Sequence, residues 1–139
     1  ALPIWRLRCL KKIEVIERGW VGHFCKGDHC RFHRNTLLQY ENKRLNVSTI
    51  GLLTIDGCVL PLDGKTRYFE TRVFGVMKVS GLWLADPDKE LFVKSKTELS
   101  FNSSIEMHLG VWGLGDDLHN TVVEEVKRDY LMSCLLFLG

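Results

Sequence analysis

Turn-forming residues interrupt the apolar runs between Val47 and Lys96 at short intervals. They are Asp56-Gly57, Asp63-Gly64, Ser80-Gly81 and Asp86-Pro87-Asp88. Glycine accepts a positive φ without a Cβ clash, aspartate bonds to its own backbone, and proline presets φ. Asp-Gly between β-rich runs is a strong signal for a hairpin. The spacing therefore predicts an up-and-down antiparallel meander, which we place at residues 47–114.

The apolar pattern changes its period near the C-terminus. Residues spaced by four form a stripe that further apolar residues widen: Leu118, Val122, Val126, Tyr130 and Cys134, with Val123, Leu131, Leu135 and Leu138. This pattern predicts an amphipathic helix over residues 117–138. The predicted fold class is α+β and mainly β, with an antiparallel meander sheet packed against a C-terminal amphipathic helix. At 139 residues the chain fits a single domain.

The same patterns give local expectations. The longest run, residues 66–79, is predicted to be the central strand. Residues 82–85 and 91–93 are predicted to pair across a turn at 86–90, and residues 99–114 to add one or two strands. The core face of the central strand is expected to carry Phe69, Thr71, Val73, Met77 and Val79. Residues 35–45 are expected to form a short helix capped by Asn35.

Charge is distributed unevenly along the chain. Residues 1–46 form a basic N-terminal arm with strand character and a net charge of +6, whereas residues 47–139 carry −4. This asymmetry suggests an anionic partner for the arm; a solvated face or contact with a neighbouring domain is the simpler interpretation. The balance of 45% hydrophobic and 26% charged residues argues against disorder. No apolar run approaches the roughly 18 residues of a membrane span.

Cysteine usage indicates a cytoplasmic location. The five cysteines are odd in number and lack the spacing of a disulfide framework, so we expect reduced thiols. Two glycosylation triplets, at Asn46 and Asn102, instead favour an extracellular location, which stays open as the alternative. Because the chain begins at Ala1 without a signal-like segment, we expect an excised fragment or a mature product.

Five potential metal ligands lie between His23 and His33. Zinc prefers four nitrogen or sulfur ligands in a tetrahedron, and His23, Cys25, Cys30 and His33 are the candidate set. The spacing matches no established zinc motif, so a histidine-rich surface turn without a cofactor is the competing interpretation. A disulfide between Cys25 and Cys30 is a third interpretation.

Signatures of catalysis are missing from the sequence. It contains no Gly-x-Ser-x-Gly elbow, no phosphate-binding glycine loop and no His-Glu-x-x-His helix. The carboxylates of Asp86, Asp88 and Glu90 are those of an ordinary turn. We therefore predict a non-catalytic binding module.

Aromatic residues beside carboxylates are the candidate ligand-binding groups. Trp83 precedes Asp86, Tyr68 precedes Glu70, and Trp112 lies just before the predicted helix. A cationic purine is recognised by aromatic rings that stack on it and by a carboxylate that accepts its N–H groups. The basic arm would then lie along phosphates. The alternative is that both tryptophans are core residues.

A sheet packed on one helix, with these aromatic and acidic residues, resembles the cap-binding domain of segmented negative-strand RNA virus polymerases. Such domains occur in the influenza polymerase basic subunit and in the C-terminal regions of arenavirus and bunyavirus large proteins. The resemblance covers residues 47–138. It implies binding of capped RNA or a nucleotide during cap snatching, in the host cytoplasm and beside other domains of a polymerase. It also implies a ligand site at Trp83, Asp86, Tyr68, Glu70 and Trp112.

Two alternatives belong to other functional classes. One is an interaction domain of an extracellular or viral glycoprotein, which the glycosylation triplets favour. The other is a zinc-stabilised protein-interaction domain, which the cluster between His23 and His33 favours.

Overall fold

The computed structural model describes residues 12–18, 22–23, 29–64, 67–93 and 111–131, the first three residues of the last range by their backbone alone. This part of the chain forms one antiparallel sheet followed by a helix. The elements are β1 (Glu14–Glu17), β2 (Cys30–Tyr40), β3 (Lys43–Ile55), β4 (Cys58–Leu60), β5 (Phe69–Val79), β6 (Leu82–Leu91), helix α1 (Val111–Val126) and a π-helical turn (Lys127–Leu131). The predicted class, α+β and mainly β, is confirmed.

The sheet is centred on β3. Its strand order is β1-β2-β3-β5-β6, and β4 pairs with the far end of β3. Within β3, Ser48 pairs with Asn35 of β2, and Thr49 pairs with Thr71 of β5. The prediction that residues 66–79 form the central strand is therefore wrong, because β5 lies one strand from the centre. Ser48 and Thr49 are polar, so the sequence did not indicate that β3 is buried. Both side chains form hydrogen bonds with residues distant in the sequence.

Residues 35–45 belong to the hairpin of β2 and β3, so the predicted helix there is wrong. The apolar residues here repeat every two positions, as in a strand, and not every three or four, as in a helix. Alternate residues of β2 from Phe32 to Tyr40 therefore face the helix side of the sheet. The predicted boundary between arm and meander at residue 46 also falls inside β3. The predicted turns are confirmed at Asp56-Gly57 and Ser80-Gly81, where all four residues have φ between 50° and 81°.

The predicted turn at residues 86–90 is a bulge within β6. Phe74 pairs with Glu90 and Val76 with Ala85, so residues 86–89 lie opposite Gly75 alone. Both halves of β6 pair with β5 rather than with each other, which corrects the predicted pairing of 82–85 with 91–93. Gly75 permits the bulge because a Cβ there would lie 3.0 Å from Cβ of Lys89.

Helix α1 begins at Val111, six residues earlier than predicted, so residues 111–114 are helical rather than extended. The predicted strand at 99–110 and the predicted helical end at 132–138 lie outside the described residues. Gly115 lets the helix approach the sheet, because a Cβ there would lie 2.8 Å from the rings of Phe32 and Phe69. The predicted stripe is confirmed where it is described, and its buried members pack on the sheet: Leu118, Val122, Val123, Val126 and Leu131 against Leu38, Val47, Phe69 and Val73.

Burial along β5 follows the prediction over only half of the strand. Phe69, Thr71 and Val73 are buried on the helix side, whereas Met77 and Val79 are about 40% exposed, at 39% and 43%. The helix therefore does not cover the end of β5. In the described residues no helix has the length and apolar composition to cross a membrane.

Candidate functional site

The sheet face opposite the helix, here called the polar face, carries Arg44, Asn46 and Ser48 at alternate positions of β3. The fully buried Asn35 and Asn46 bond to each other on this face. Nδ2 of Asn35 donates to Oδ1 of Asn46 at 2.7 Å, and Nδ2 of Asn46 donates to Oδ1 of Asn35 at 3.0 Å. The burial of Asn46 leaves no space for a glycan in the folded chain. The second triplet, at Asn102, lies outside the described residues.

His23 lies on the polar face and is anchored there by three groups. Its backbone N–H donates to Oγ of Ser48 at 3.0 Å, and its Nδ1 lies 2.7 Å from the same oxygen. Its Nε2 is 3.3 Å from Oε1 of Glu70, and its ring is tilted 5.9 Å from that of Phe74. Gly22 lies directly over Ser48, since a Cβ on Gly22 would come within 1.9 Å of Oγ.

Ser48, His23 and Glu70 are a hydroxyl, an imidazole and a carboxylate in contact, the residue types of a serine-hydrolase triad. Oγ of Ser48 accepts the His23 backbone N–H and lies against Nδ1 of the ring, and Nε2 faces Glu70. Ser48 is nevertheless only 2% exposed and is covered by Gly22. A substrate carbonyl would have to displace this segment before Oγ could attack it. We therefore assign the three residues an anchoring role.

The candidate zinc ligands are only partly described. His23 is held by Ser48 and Glu70, Cys30 is buried on β2, and His33 is half-buried on the same strand. Side chains three positions apart on a strand point to opposite faces, so Cys30 and His33 do not converge. Cys25 lies outside the described residues. Within those ranges no three His, Cys, Asp or Glu side chains are grouped for a metal, and zinc stays a prediction from sequence.

The carboxylate of Glu70 is contacted by the ring of His23 and by the guanidinium of Arg72. The bond from His23 and the charge of Arg72, whose Nε lies 2.5 Å from Oε1, hold the pKa of Glu70 below its ordinary value although burial raises it. Arg72 also lies 3.9 Å from Oε1 of Glu90. The carboxylate of Glu70 is therefore ionised and already neutralised from within the polar face.

Trp83 is half-buried on the polar face and has three cations around it. The guanidinium carbon of Arg44 lies 4.4 Å from the ring centroid, and Nζ of Lys78 lies 5.4 Å from it. Nη1 of Arg18 donates to the backbone carbonyl of Trp83. We call Trp83 and these cations, Arg18, Arg44 and Lys78, the Trp83 cluster.

The other side-chain hydrogen bonds of Arg18 and Arg44 are accepted by uncharged amide oxygens. Nε of Arg44 donates to Oε1 of Gln39 at 2.7 Å, and Nε of Arg18 donates to Oδ1 of Asn35 at 3.3 Å. Across the described ranges no carboxylate lies within ion-pair distance of Arg18, Arg44 or Lys78. Burial lowers the pKa of Arg18, yet guanidinium stays protonated in proteins. Among the described residues, therefore, no negative charge compensates the three positive charges of the cluster.

The other predicted ligand residues do not join Trp83 in a sandwich. Asp86 lies in the bulge, where Oδ1 accepts the backbone N–H of Asp88 at 3.0 Å and Oδ2 is 3.8 Å from Nζ of Lys89. Tyr68 packs against the core beside the start of β5. Trp112 lies in the first turn of α1, and its side chain is outside the described residues. Trp83 and Glu70 share the polar face but have different partners: Trp83 pairs with Lys78, which lies eight residues along β5 from Glu70.

Sequence reasoning missed the three cations of the Trp83 cluster as functional candidates. Arg18 and Arg44 were visible only as members of the basic arm, and Lys78 only as a polar position of β5. Their convergence depends on contacts between residues as far as 65 positions apart.

Sequence reasoning also missed a buried polar network beneath α1. His119 is fully buried, with Nε2 2.7 Å from Oγ1 of Thr36 and Nδ1 2.7 Å from Oγ1 of Thr49. Thr36 donates to Oε1 of Glu17 at 2.8 Å, so Nε2 of His119 must carry the proton, and Nδ1 accepts from Thr49. Burial and the charge of Arg34 lower the pKa of His119 from 6.5 to about 3. The ring is therefore neutral.

Comparison with protein-family models, with curated proteins and with solved structures produced no match for this chain. The resemblance to viral cap-binding domains accordingly stays a prediction from sequence.

Proposed function

We propose that this chain is a non-catalytic binding module that holds the phosphate backbone of RNA, or of a nucleotide, at the Trp83 cluster. The observation that carries the proposal is the convergence of three cations on Trp83: Arg44 and Lys78 lie over the half-buried indole, and Arg18 donates to the backbone carbonyl. None of the three has a carboxylate partner among the described residues. Single-stranded RNA is bound by this combination, in which cations follow the phosphates and aromatic rings stack on the bases.

Arg18 supports the choice of phosphate as the anion. Its Nη2 is buried and has no acceptor within the described part of the chain. A buried N–H without an acceptor is costly, so bonding of Nη2 to a phosphate oxygen would be favourable, although the atoms that cover Nη2 have to move aside first. Guanidinium also matches phosphate geometry and makes charge-assisted bonds to it.

The surroundings of Trp83 favour a neutral base over a cationic cap purine. A cationic purine would need a free carboxylate beside the ring, but Glu70 is bonded by Arg72 and Asp86 lies near Lys89. Arg44 already occupies a position over the indole, where its positive charge would repel a second cation. The proposal therefore concerns contacts of these cations with phosphate, with the cap as a separate arm of the test.

The test is fluorescence anisotropy of a labelled short oligouridylate, titrated with protein across a series of salt concentrations. For single strands the slope of log affinity against log salt is about −0.7 per phosphate contact, so removing one cation should reduce its magnitude by about 0.7. We expect this change in both Arg44→Ala and Lys78→Ala. Arg128→Ala, which removes an exposed cation from the helical side, is the matched control.

Three outcomes would contradict the proposal. They are binding that does not depend on salt, equal losses in the Arg128 control, and no binding at low salt. Titration with GTP and with 7-methyl-GTP addresses the cap separately. Equal affinities support phosphate recognition, whereas a marked preference for the methylated form would restore the cap hypothesis.

A further inference from the structure

The end of the β5–β6 hairpin lies across the polar face of the sheet. Trp83 pairs with Lys78 of β5, and pairing of β5 with β3 has already ended at Phe74. The carbonyl of Trp83 nevertheless accepts a bond from Arg18, which directly follows β1. In the sheet, β2, β3 and β5 lie between β1 and β6. The hairpin end must therefore fold back over the polar face to bring these two residues together.

A second segment, residues 22–23, covers the neighbouring part of this face. A Cβ on Gly22 would lie 2.6 Å from Nδ2 of Asn35, so the chain passes directly over that side chain. Arg18 lies between the two covering segments, because its Nε donates to Oδ1 of Asn35 and its Nη1 donates to the carbonyl of Trp83. The Trp83 cluster is thus bounded by chain on two sides.

The three cations of the cluster meet at one tryptophan. The guanidinium carbon of Arg44 and Nζ of Lys78 lie 4.4 Å and 5.4 Å from the indole centroid, and Arg18 reaches the backbone carbonyl of the same residue. The preceding cation along β5 is Arg72, whose charge Glu70 already neutralises. Along this strand, the free positive charge is therefore concentrated at the cluster.

We propose that the Trp83 cluster recognises the terminal phosphate of an RNA or a nucleotide, in preference to the diesters inside a strand. The inference rests on the proposed function and narrows its ligand. A phosphate monoester carries a charge of about −1.5 to −2 at pH 7 and three strong acceptor oxygens. A diester carries a single charge and has two free oxygens. Three converging cations match the monoester, because each of them can bond to a separate oxygen.

The covered position of the cluster also favours an end group. An internal diester has to continue along the protein in two directions, which requires an open groove. A terminal phosphate is attached on one side only, so it can enter through a single opening. Lys78 is exposed and marks such an opening, whereas Arg18 and Arg44 are half-buried. The phosphate would bond to Lys78 and Arg44 first, and to Nη2 of Arg18 once the atoms over it have moved aside.

Competition between matched oligonucleotides tests the inference. Unlabelled oligouridylates of one length, with a 5′-phosphate, a 3′-phosphate or hydroxyls at both ends, displace a labelled oligouridylate from the chain in fluorescence anisotropy. A phosphate at one of the two ends should raise the affinity about tenfold or more, the worth of one further charge-assisted hydrogen bond. A methyl ester on that phosphate removes one oxygen and one charge, and it should abolish most of this gain.

Lys78→Gln and Arg128→Gln are matched variants, because each removes one exposed cation. Lys78→Gln should lower the ratio of the affinities for the phosphorylated and unphosphorylated strands about threefold or more, since an exposed ion pair contributes modestly. Arg128→Gln lies on the helical side and should leave this ratio unchanged. Circular dichroism of both variants confirms that the fold is intact.

Some results would overturn the inference and leave the proposed function in place. They are equal affinity for the phosphorylated and unphosphorylated strands, a gain that survives the methyl ester, and a preference that both variants lower alike. Failure of every oligouridylate to bind would overturn the inference and the proposed function together. A phosphoserine peptide that competes as well as the phosphorylated strand would show that phosphate alone is recognised, and would overturn the choice of a nucleotide end.

Discussion

Oγ1 of Thr36 lies 2.7 Å from Nε2 of His119, and this bond joins β2 to α1 within the core. Thr49 bonds to the other ring nitrogen and also lies 2.7 Å from Oγ1 of Thr71, so three neighbouring strands contribute one hydroxyl each. The helix is thereby held in one register on the sheet. An apolar stripe alone would permit sliding, since its side chains have no directional partners.

The pH dependence of stability should report on His119. Its pKa is about 3 in the folded chain and 6.5 ordinarily, so between these values the unfolded state binds one more proton. The free energy of unfolding should therefore fall as pH decreases from 6.5 towards 3, by at most about 1.4 kcal/mol per unit from this residue. Urea denaturation at several pH values between 7.5 and 4.5 measures the slope.

The matched variant for this measurement is His119→Gln. It should cost about 1–3 kcal/mol at neutral pH, because at least one buried hydroxyl loses its partner. It should also lose the part of the slope that His119 supplies, so the two stability curves converge as pH falls. Parallel curves would show that other groups are responsible for the acid sensitivity.

The Asn35–Asn46 pair should show strong coupling in a double-mutant cycle. Each single substitution by leucine leaves one buried amide without its partner and should cost about 1–3 kcal/mol or more. The double variant should cost less than the sum of the two, by about 0.5–3 kcal/mol. Additive losses in chemical denaturation would mean that the amides find other partners.

Gly115→Ala should destabilise the folded chain, although replacing glycine by alanine inside a helix usually stabilises it. In a helix interior, alanine is normally about 1 kcal/mol more favourable than glycine. Here its Cβ would lie 2.8 Å from the rings of Phe32 and Phe69, so the helix must shift away from the sheet. Thermal denaturation should show a lower Tm than for Asn120→Ala on the exposed surface of α1. A raised Tm would contradict the close approach.

Val126→Ala tests the docked face of the helix. Val126 is fully buried, so the truncation should cost about 1–3 kcal/mol through lost transfer energy and the cavity left behind. Asn120→Ala should change the free energy of unfolding little, because Asn120 is exposed. Similar small losses in both variants would argue that α1 is not packed as described.

The sequence by itself determined some of the local elements, but not the strands at residues 35–45 or the bulge at 86–89. The turns at Asp56-Gly57 and Ser80-Gly81 and the apolar stripe through Leu118, Val122 and Val126 were all predicted correctly. Each depends on the φ preferences or the spacing of residues a few positions apart, and such preferences act before any distant contact forms.

The tertiary structure alone decided the strand order, the central place of β3 and the assembly of the Trp83 cluster. Asn46, Ser48 and Thr49 look exposed in sequence because they are polar, but all three are buried and have hydrogen-bond partners distant in the chain: Asn35 of β2, His23 and His119 of α1. Burying a polar group is favourable only when such a partner is present. Arg18 and Trp83 likewise meet across 65 positions. No local period encodes those pairings, because they follow from which strands become neighbours when the whole sheet closes around its core.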